Sequence, residues 1–214
     1  MSGSSTENFP LRTQKANLTK QRILDVATEL FLANGYSQTS LVKIAEEAKT
    51  TKPTVYSHFK SKEGLFEAVI NEHSERGGLM SKDLLIPTSN PKDDLVRFGD
   101  VLMSFGFSEK QALWPRLAVA ESIAHPEVGE AFYKAGPARV IQQLTEYLTS
   151  QAKSGLLDVE NPHQAAEQLL GLMLGIDLLR MQIGKKPPRK SAIKAKCRAA
   201  VDMFLATYGT RVSK

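Results

Sequence analysis

Two short apolar stripes, separated by two residues that break the pattern, constrain this chain more than any other stretch. In residues 40–59, SLVKIAEEAKTTKPTVYSHF, Leu41, Ile44, Ala45 and Ala48 recur at i, i+3, i+4 and i+7, the period of one helical face. Ser40 stands where a hydroxyl caps free N–H groups. Lys49 and Thr50 interrupt, and Thr51 can cap a second helix with Pro53 in its first turn, where a missing N–H costs little. That second helix buries Val55 and Phe59. It turns Lys52, Thr54, Ser57 and His58 outward, with Tyr56 partly so. A two-turn helix with hydroxyls, an aromatic ring and cations on its free face suits a DNA major groove, where its N-terminal residues reach base edges.

The surrounding residues extend the pattern. Ile23-Leu24, Ala27, Leu30-Phe31, Gly35, Thr39-Ser40, Ile44-Ala45, Thr54-Val55-Tyr56, His58-Phe59 and Ser61-Lys62-Glu63 together resemble the DNA-binding domain of the TetR family of bacterial transcription regulators. The resemblance runs from Lys20 to Val69. The family usually has glycine where Lys49 stands, and often glycine where Pro53 stands. Lys49 must therefore accept an unusual backbone angle or sit in a different turn, and Pro53 removes a backbone donor to phosphate. Thr39, Ser40, Tyr56, His58 and Lys62 are the candidates for phosphate positioning. Thr50, Thr51, Lys52, Pro53, Thr54 and Ser57 are the candidates for base contacts or close groove packing.

The rest of the chain reads as helix. Residues 1–18, rich in Ser, Thr and Asn, are expected to form a disordered arm, with helix starting near Thr19. The DNA-binding domain is expected to span 19–77, and a helical regulatory and dimerisation domain 78–214. Asn90-Pro91 and Asn161-Pro162 open helices over 92–106 and 162–184. Ser108-Glu109-Lys110-Gln111 is a capping-box pattern opening a helix to Ala124, which Pro115 should kink. Gly136-Pro137 separates a short helix from a longer one, and a last helix covers 191–208. The expected fold is all-α with nine to ten helices: a three-helix helix-turn-helix domain and a helical ligand-binding domain. The stretch from Arg116 to Leu157 resembles the C-terminal half of AefR-like members of the family.

Composition narrows the function. Lys and Arg number nine against six acidic residues in 1–65, nine against sixteen in 66–179, and ten against one in 180–214. Basic ends suit a polyanion partner. A single cysteine excludes an internal disulfide and fits a cytoplasmic location. No signal peptide or membrane span is expected. The four histidines lack metal-ligand spacing, no Gly-rich phosphate loop follows a strand, and no catalytic set is evident. No metal, cofactor or enzyme activity is therefore expected.

In the acidic middle, Met103, Phe105, Trp114, Phe132, Tyr133 and Met173 are candidate walls of a small-molecule cavity, with Arg116 and Glu121 as polar anchors. Helix 162–184 is apolar on more than one side. The resemblance implies that it pairs with the last helix and their twins in a homodimer, through Gly171, Leu172, Gly175, Leu179, Val201, Phe204 and Leu205. The expected partners are double-stranded operator DNA, a small-molecule effector and a second copy, with no membrane. The expected function is a homodimeric repressor released from a near-palindromic operator. Two alternatives differ in class: a DNA-coating protein of low sequence preference, favoured by the basic C-terminal segment, and an enzyme on a helical scaffold.

Overall fold

The computed structural model describes residues 11–78, 81 and 84–210. Ten helices occupy them: α1 Leu11–Asn34, α2 Leu41–Glu47, α3 Lys52–Phe59, α4 Lys62–Arg76, α5 Pro91–Gly106, α6 Leu113–Glu121, α7 Pro126–Ala135, α8 Pro137–Lys153, α9 Pro162–Gln182 and α10 Lys190–Tyr208. The chain is all-α. The β-type pairing among the described residues is one isolated antiparallel bridge, Leu157 to Gly209. No helix among them is long and apolar enough to cross a membrane. The chain divides into two compact units, 1–69 and 70–214, so the division falls inside α4 and earlier than the expected boundary at 77.

In the first unit, α1 begins at Leu11 rather than near Thr19. Residues 11–18 contain neither proline nor glycine and include the good helix formers Leu, Arg, Gln, Lys and Ala. The helix therefore extends with residues 13–18 exposed. Of the arm expected over residues 1–18, residues 11–18 belong to α1 and residues 1–10 lie outside the described residues. Ile23, Ala27 and Phe31 have no exposed surface. Phe31 stacks on Tyr36 at 5.7 Å, and Phe66 meets both edge-on at 5.4 and 5.5 Å, geometries that add to simple burial. The Tyr36 hydroxyl, at the edge of this cluster, donates to Glu63 at 3.0 Å.

The second unit is built around α5, α8, α9 and α10. Leu95, Phe98, Met103, Leu144, Leu148, Leu169, Met173, Cys197, Val201 and Phe204 fill its centre. Asn90 and Asn161 cap α5 and α9 by accepting from the backbone N–H groups of Asp93 and Gln164. Two local expectations change. Residues 109–112 form turns, so α6 starts at Leu113. Pro115 then falls in the first helical turn, where its missing N–H has no intrahelical partner to lose, and it kinks nothing. The 162–184 helix is interrupted at Gly175, whose φ of 39° and ψ of −139° are non-helical and open in practice to glycine alone. Lys196 reaches the break, donating to the Leu174 carbonyl at 3.4 Å and to Asp177 at 2.8 Å.

Candidate nucleic-acid interface and apolar cavity

Hydroxyl caps build the α2–α3 hairpin. The Ser40 side chain accepts from Lys43 N–H, and Thr51 accepts from Thr54 N–H. The two threonine hydroxyls also bond each other at 2.9 Å. Between the helices Lys49 adopts φ 49°. Lys49 N–H bonds Glu46 C=O at 3.1 Å and Thr50 N–H bonds Ala45 C=O at 2.9 Å, the paired pattern of a Schellman turn. Lys49 thus takes the left-handed angle itself, at about 1–2 kcal/mol for a residue with a Cβ. Exposure of its side chain leaves no packing conflict to add.

Val55 and Phe59 anchor α3, at 0% and 6% exposure. Lys52, Pro53, Tyr56 and Ser57 are exposed, with Thr54 and His58 half-buried. The Lys52 ammonium lies 5.6 Å from the Tyr56 ring centroid. That cation–π contact is weak at an exposed site and leaves the charge available. Lys62, at the start of α4, sits 4.1 Å over the Tyr36 ring and donates to the Ser37 carbonyl at 3.4 Å. Its charge is therefore held in a preset position. The free face of α3 consequently carries donors, acceptors, a methyl-bearing hydroxyl and a cation, the groups that read base edges and phosphates.

In the second unit, α4, α5, α6, α7, α8 and α9 enclose a cavity of about 330 Å³. Phe105, Trp114, Phe132, Val140, Leu170 and Leu174 are among its lining residues, and no Asp, Glu, Lys or Arg lines it among the described residues. Its polar members are His73, Ser74, Gln111 and Gln182. The His73 ring lies 5.9 Å from Phe105 and 5.5 Å from Trp114 by centroids. Burial pushes the His73 pKa below its ordinary value, and the charges of Lys110 and Arg76 add to this. A hydrogen bond with Gln111 works the other way. The imidazole is therefore neutral at pH 7.

Residues 93–210 match the C-terminal domain of AefR-like transcriptional repressors, and residues 23–69 match the bacterial regulatory proteins of the tetR family. The first match alone covers more than half of the chain. The chain belongs to the TetR family of transcriptional regulators. It is 26% identical over 169 residues to the Bacillus subtilis HTH-type transcriptional regulator YvkB, covering 78% of this chain and 86% of that one. Among solved structures it resembles a TetR-family regulator from Mesorhizobium loti, with TM-score 0.77, 26% identity and coverage of 92% and 99%. It also resembles the flavonoid-responsive regulator FrrA, with TM-score 0.76, 28% identity and coverage of 91% and 98%.

In this TetR-family chain, most residues expected to meet DNA cluster on or beside α3. Thr39 does not join them: it is 1% exposed, and its hydroxyl donates to the carbonyls of Leu30 and Gly35 at 3.1 and 2.8 Å. Its side chain fastens the end of α1. Of the residues expected to line a cavity, Phe105, Trp114 and Phe132 do. Met103 and Met173 are wholly buried in the core, because the apolar faces of α5 and α9 are wider than the cavity wall. The Arg116 guanidinium bonds the Met181 carbonyl at the end of α9, by Nε at 2.9 Å and by Nη2. Tyr133 is 47% exposed, and Glu121, at the end of α6, lies outside the wall.

Two residues named for the second-copy surface are also displaced. Val201 and Phe204 are buried within their own chain, at 0% and 1% exposure, and have nothing left to offer a partner. Gly171, Gly175 and Leu179 are exposed, while Leu172 and Leu205 are half-buried. Ile176, Leu179 and Ile183 form an exposed i, i+3, i+7 stripe beyond the kink. Sequence reasoning missed His73 and Ser74. Their signal was positional, since they continue the inward stripe of Phe66, Val69 and Ile70 one turn further along α4. Cys197 has no exposed surface, and burial raises its thiol pKa to about 11, which leaves it unreactive.

Proposed function

We propose that this regulator is a homodimeric repressor, acting in the cytoplasm on a near-palindromic operator and released when a small molecule enters the second-unit cavity. The observation that carries this is a largely apolar cavity, with no charged residue among its described lining, in the same chain as a helix whose free face is polar and cationic. A ligand shifts the protein only by binding one conformation more tightly than another, and a cavity between helices offers that difference. The flavonoid response of FrrA supports an organic effector.

In a dimer the two copies of α3 must lie about 34–36 Å apart, or a multiple, to meet successive major-groove faces. The Ile176, Leu179 and Ile183 stripe is the surface through which the copies would join. Gly175→Leu is a poor probe of it, because the backbone angles there exclude a side chain. Leu179→Glu places a charge on the stripe and should shift the protein to monomer in sedimentation velocity. An unchanged dimer would move the interface elsewhere.

Operator titrations test the DNA surface. Lys52→Ala should relax discrimination at one or two base pairs by about 1–3 kcal/mol. Lys62→Ala should weaken all sequences alike and lower the salt slope by about one. If Lys52→Ala leaves sequence preference intact, Lys52 contacts the DNA backbone. If neither variant changes affinity, α3 is not the DNA-reading helix.

A further inference from the structure

The cavity's own chemistry selects among ligands. With no Asp, Glu, Lys or Arg among the described residues of its wall, an ionised ligand would lose its hydration and meet no opposite charge there. Aromatic side chains dominate one side, where Phe105 and Trp114 both pack against the His73 ring. At about 330 Å³ the space is at the small end of cavities that hold organic ligands.

Polar demand in the wall is narrow. Ser74 already donates to the Ile70 carbonyl at 3.0 Å. His73 Nε2 is buried without a hydrogen-bond partner among the described residues. A buried nitrogen left unpaired is costly, and a ligand group that pairs with it gains what the empty site lacks. A neutral imidazole offers one donor and one acceptor nitrogen, set by its tautomer. A hydroxyl serves either, because it both donates and accepts.

Resting on the effector-site reading above, we propose that the cavity takes a neutral aromatic molecule bearing a hydroxyl group, and that this hydroxyl pairs with His73 Nε2. The ring lies among Phe105, Trp114 and Phe132, and the hydroxyl sets its orientation. Removing the hydroxyl leaves the imidazole unpaired again, and adding a charge brings an ion into a wall that cannot answer it.

Four probes with one ring system test this: 2-naphthol, naphthalene, 2-naphthoate and 2-(aminomethyl)naphthalene, in equilibrium dialysis against the full chain at neutral pH. Quenching of Trp114, the chain's single tryptophan, reports that a probe is in this cavity. 2-Naphthol should bind about tenfold more tightly than naphthalene and at least about tenfold more tightly than either charged probe. In His73→Leu the preference for 2-naphthol over naphthalene should fall to about unity, with naphthalene affinity kept. His73→Gln, which restores a polar group, should retain part of the preference and guards against a folding defect in the leucine variant. Equal or tighter binding of a charged probe would overturn the ligand class while leaving the cavity as a ligand site. An unchanged hydroxyl preference in His73→Leu would overturn the pairing with His73. Failure of all four probes to quench Trp114 would instead remove the effector-site reading itself.

Discussion

Asp94→Ala is expected to destabilise the second unit by about 1–3 kcal/mol, the range for leaving a buried hydrogen-bonding group unsatisfied. Asp94 has no exposed surface. Its carboxylate accepts from Thr88 N–H at 2.8 Å, the Thr88 hydroxyl at 3.0 Å, Arg97 at 3.0 Å and the Tyr147 hydroxyl at 3.1 Å. Gln151 closes the group, donating to the Thr88 carbonyl at 2.9 Å and to Tyr147 at 3.1 Å. The network fastens the segment before α5 to α8. Alanine would leave the buried Tyr147 hydroxyl without its carboxylate acceptor. Urea unfolding followed by circular dichroism measures the loss, and a change under about 1 kcal/mol would mean that water replaces the carboxylate.

The same group predicts an acid dependence. Burial pushes the Asp94 pKa up, but the hydrogen bonds from Thr88, Arg97 and Tyr147 outweigh it and hold the pKa below the ordinary value. The folded protein therefore binds this proton less readily than the unfolded chain. Its contribution is present above the unfolded aspartate pKa of about 3.9 and is lost as pH falls through the folded value. Asp177, held low chiefly by its hydrogen bond from Lys196, acts with the same sign. Asp94→Asn should flatten the fall in stability below about pH 4.

What could be read from the sequence was what short-range chemistry decides. Ser40, Thr51, Asn90 and Asn161 cap helices because a side-chain acceptor three residues before a free N–H suffices. Val55 and Phe59 face inward because their spacing admits one buried side. The misreadings share a different cause. The added turns of α1 rest on propensity without burial. The break at Gly175 is a backbone conformation braced by Lys196 from another helix, which helical spacing does not encode. Val201 and Phe204 show an apolar face plainly, but the pattern cannot say whether the same chain or a second copy covers it. For the cavity, the aromatic members Phe105, Trp114 and Phe132 were legible as residues that need space. His73 was not, because a lone histidine on an apolar stripe becomes informative only when its neighbours leave one nitrogen unpaired.

Gly64→Ala is expected to cost operator affinity about tenfold or more. It was not among the residues singled out in the sequence. The added Cβ would lie 2.3 Å from the Phe59 carbonyl oxygen, far inside van der Waals contact, and a backbone oxygen cannot swing aside as a long side chain can. Phe59 is the last residue of α3, and α4 starts three residues later. Between them Lys60 takes φ 68°, Ser61 N–H bonds the Phe59 carbonyl at 2.8 Å, and the Ser61 hydroxyl accepts from Gly64 N–H at 3.0 Å. A turn with so many fixed partners can relieve the clash only by moving the end of α3 or by breaking the cap of α4. Overpacking of this kind costs about 1–3 kcal/mol. Because α3 carries Lys52, Tyr56 and Ser57, part of that cost should appear as misplacement of the DNA-contacting face. Operator titration and thermal unfolding of Gly64→Ala, beside Glu67→Ala at an exposed position on the same helix, separate the two effects. Loss of affinity with folding kept would show that the α3–α4 turn sets the angle of the recognition helix. Wild-type affinity in Gly64→Ala would show that α4 can move away without carrying α3 along.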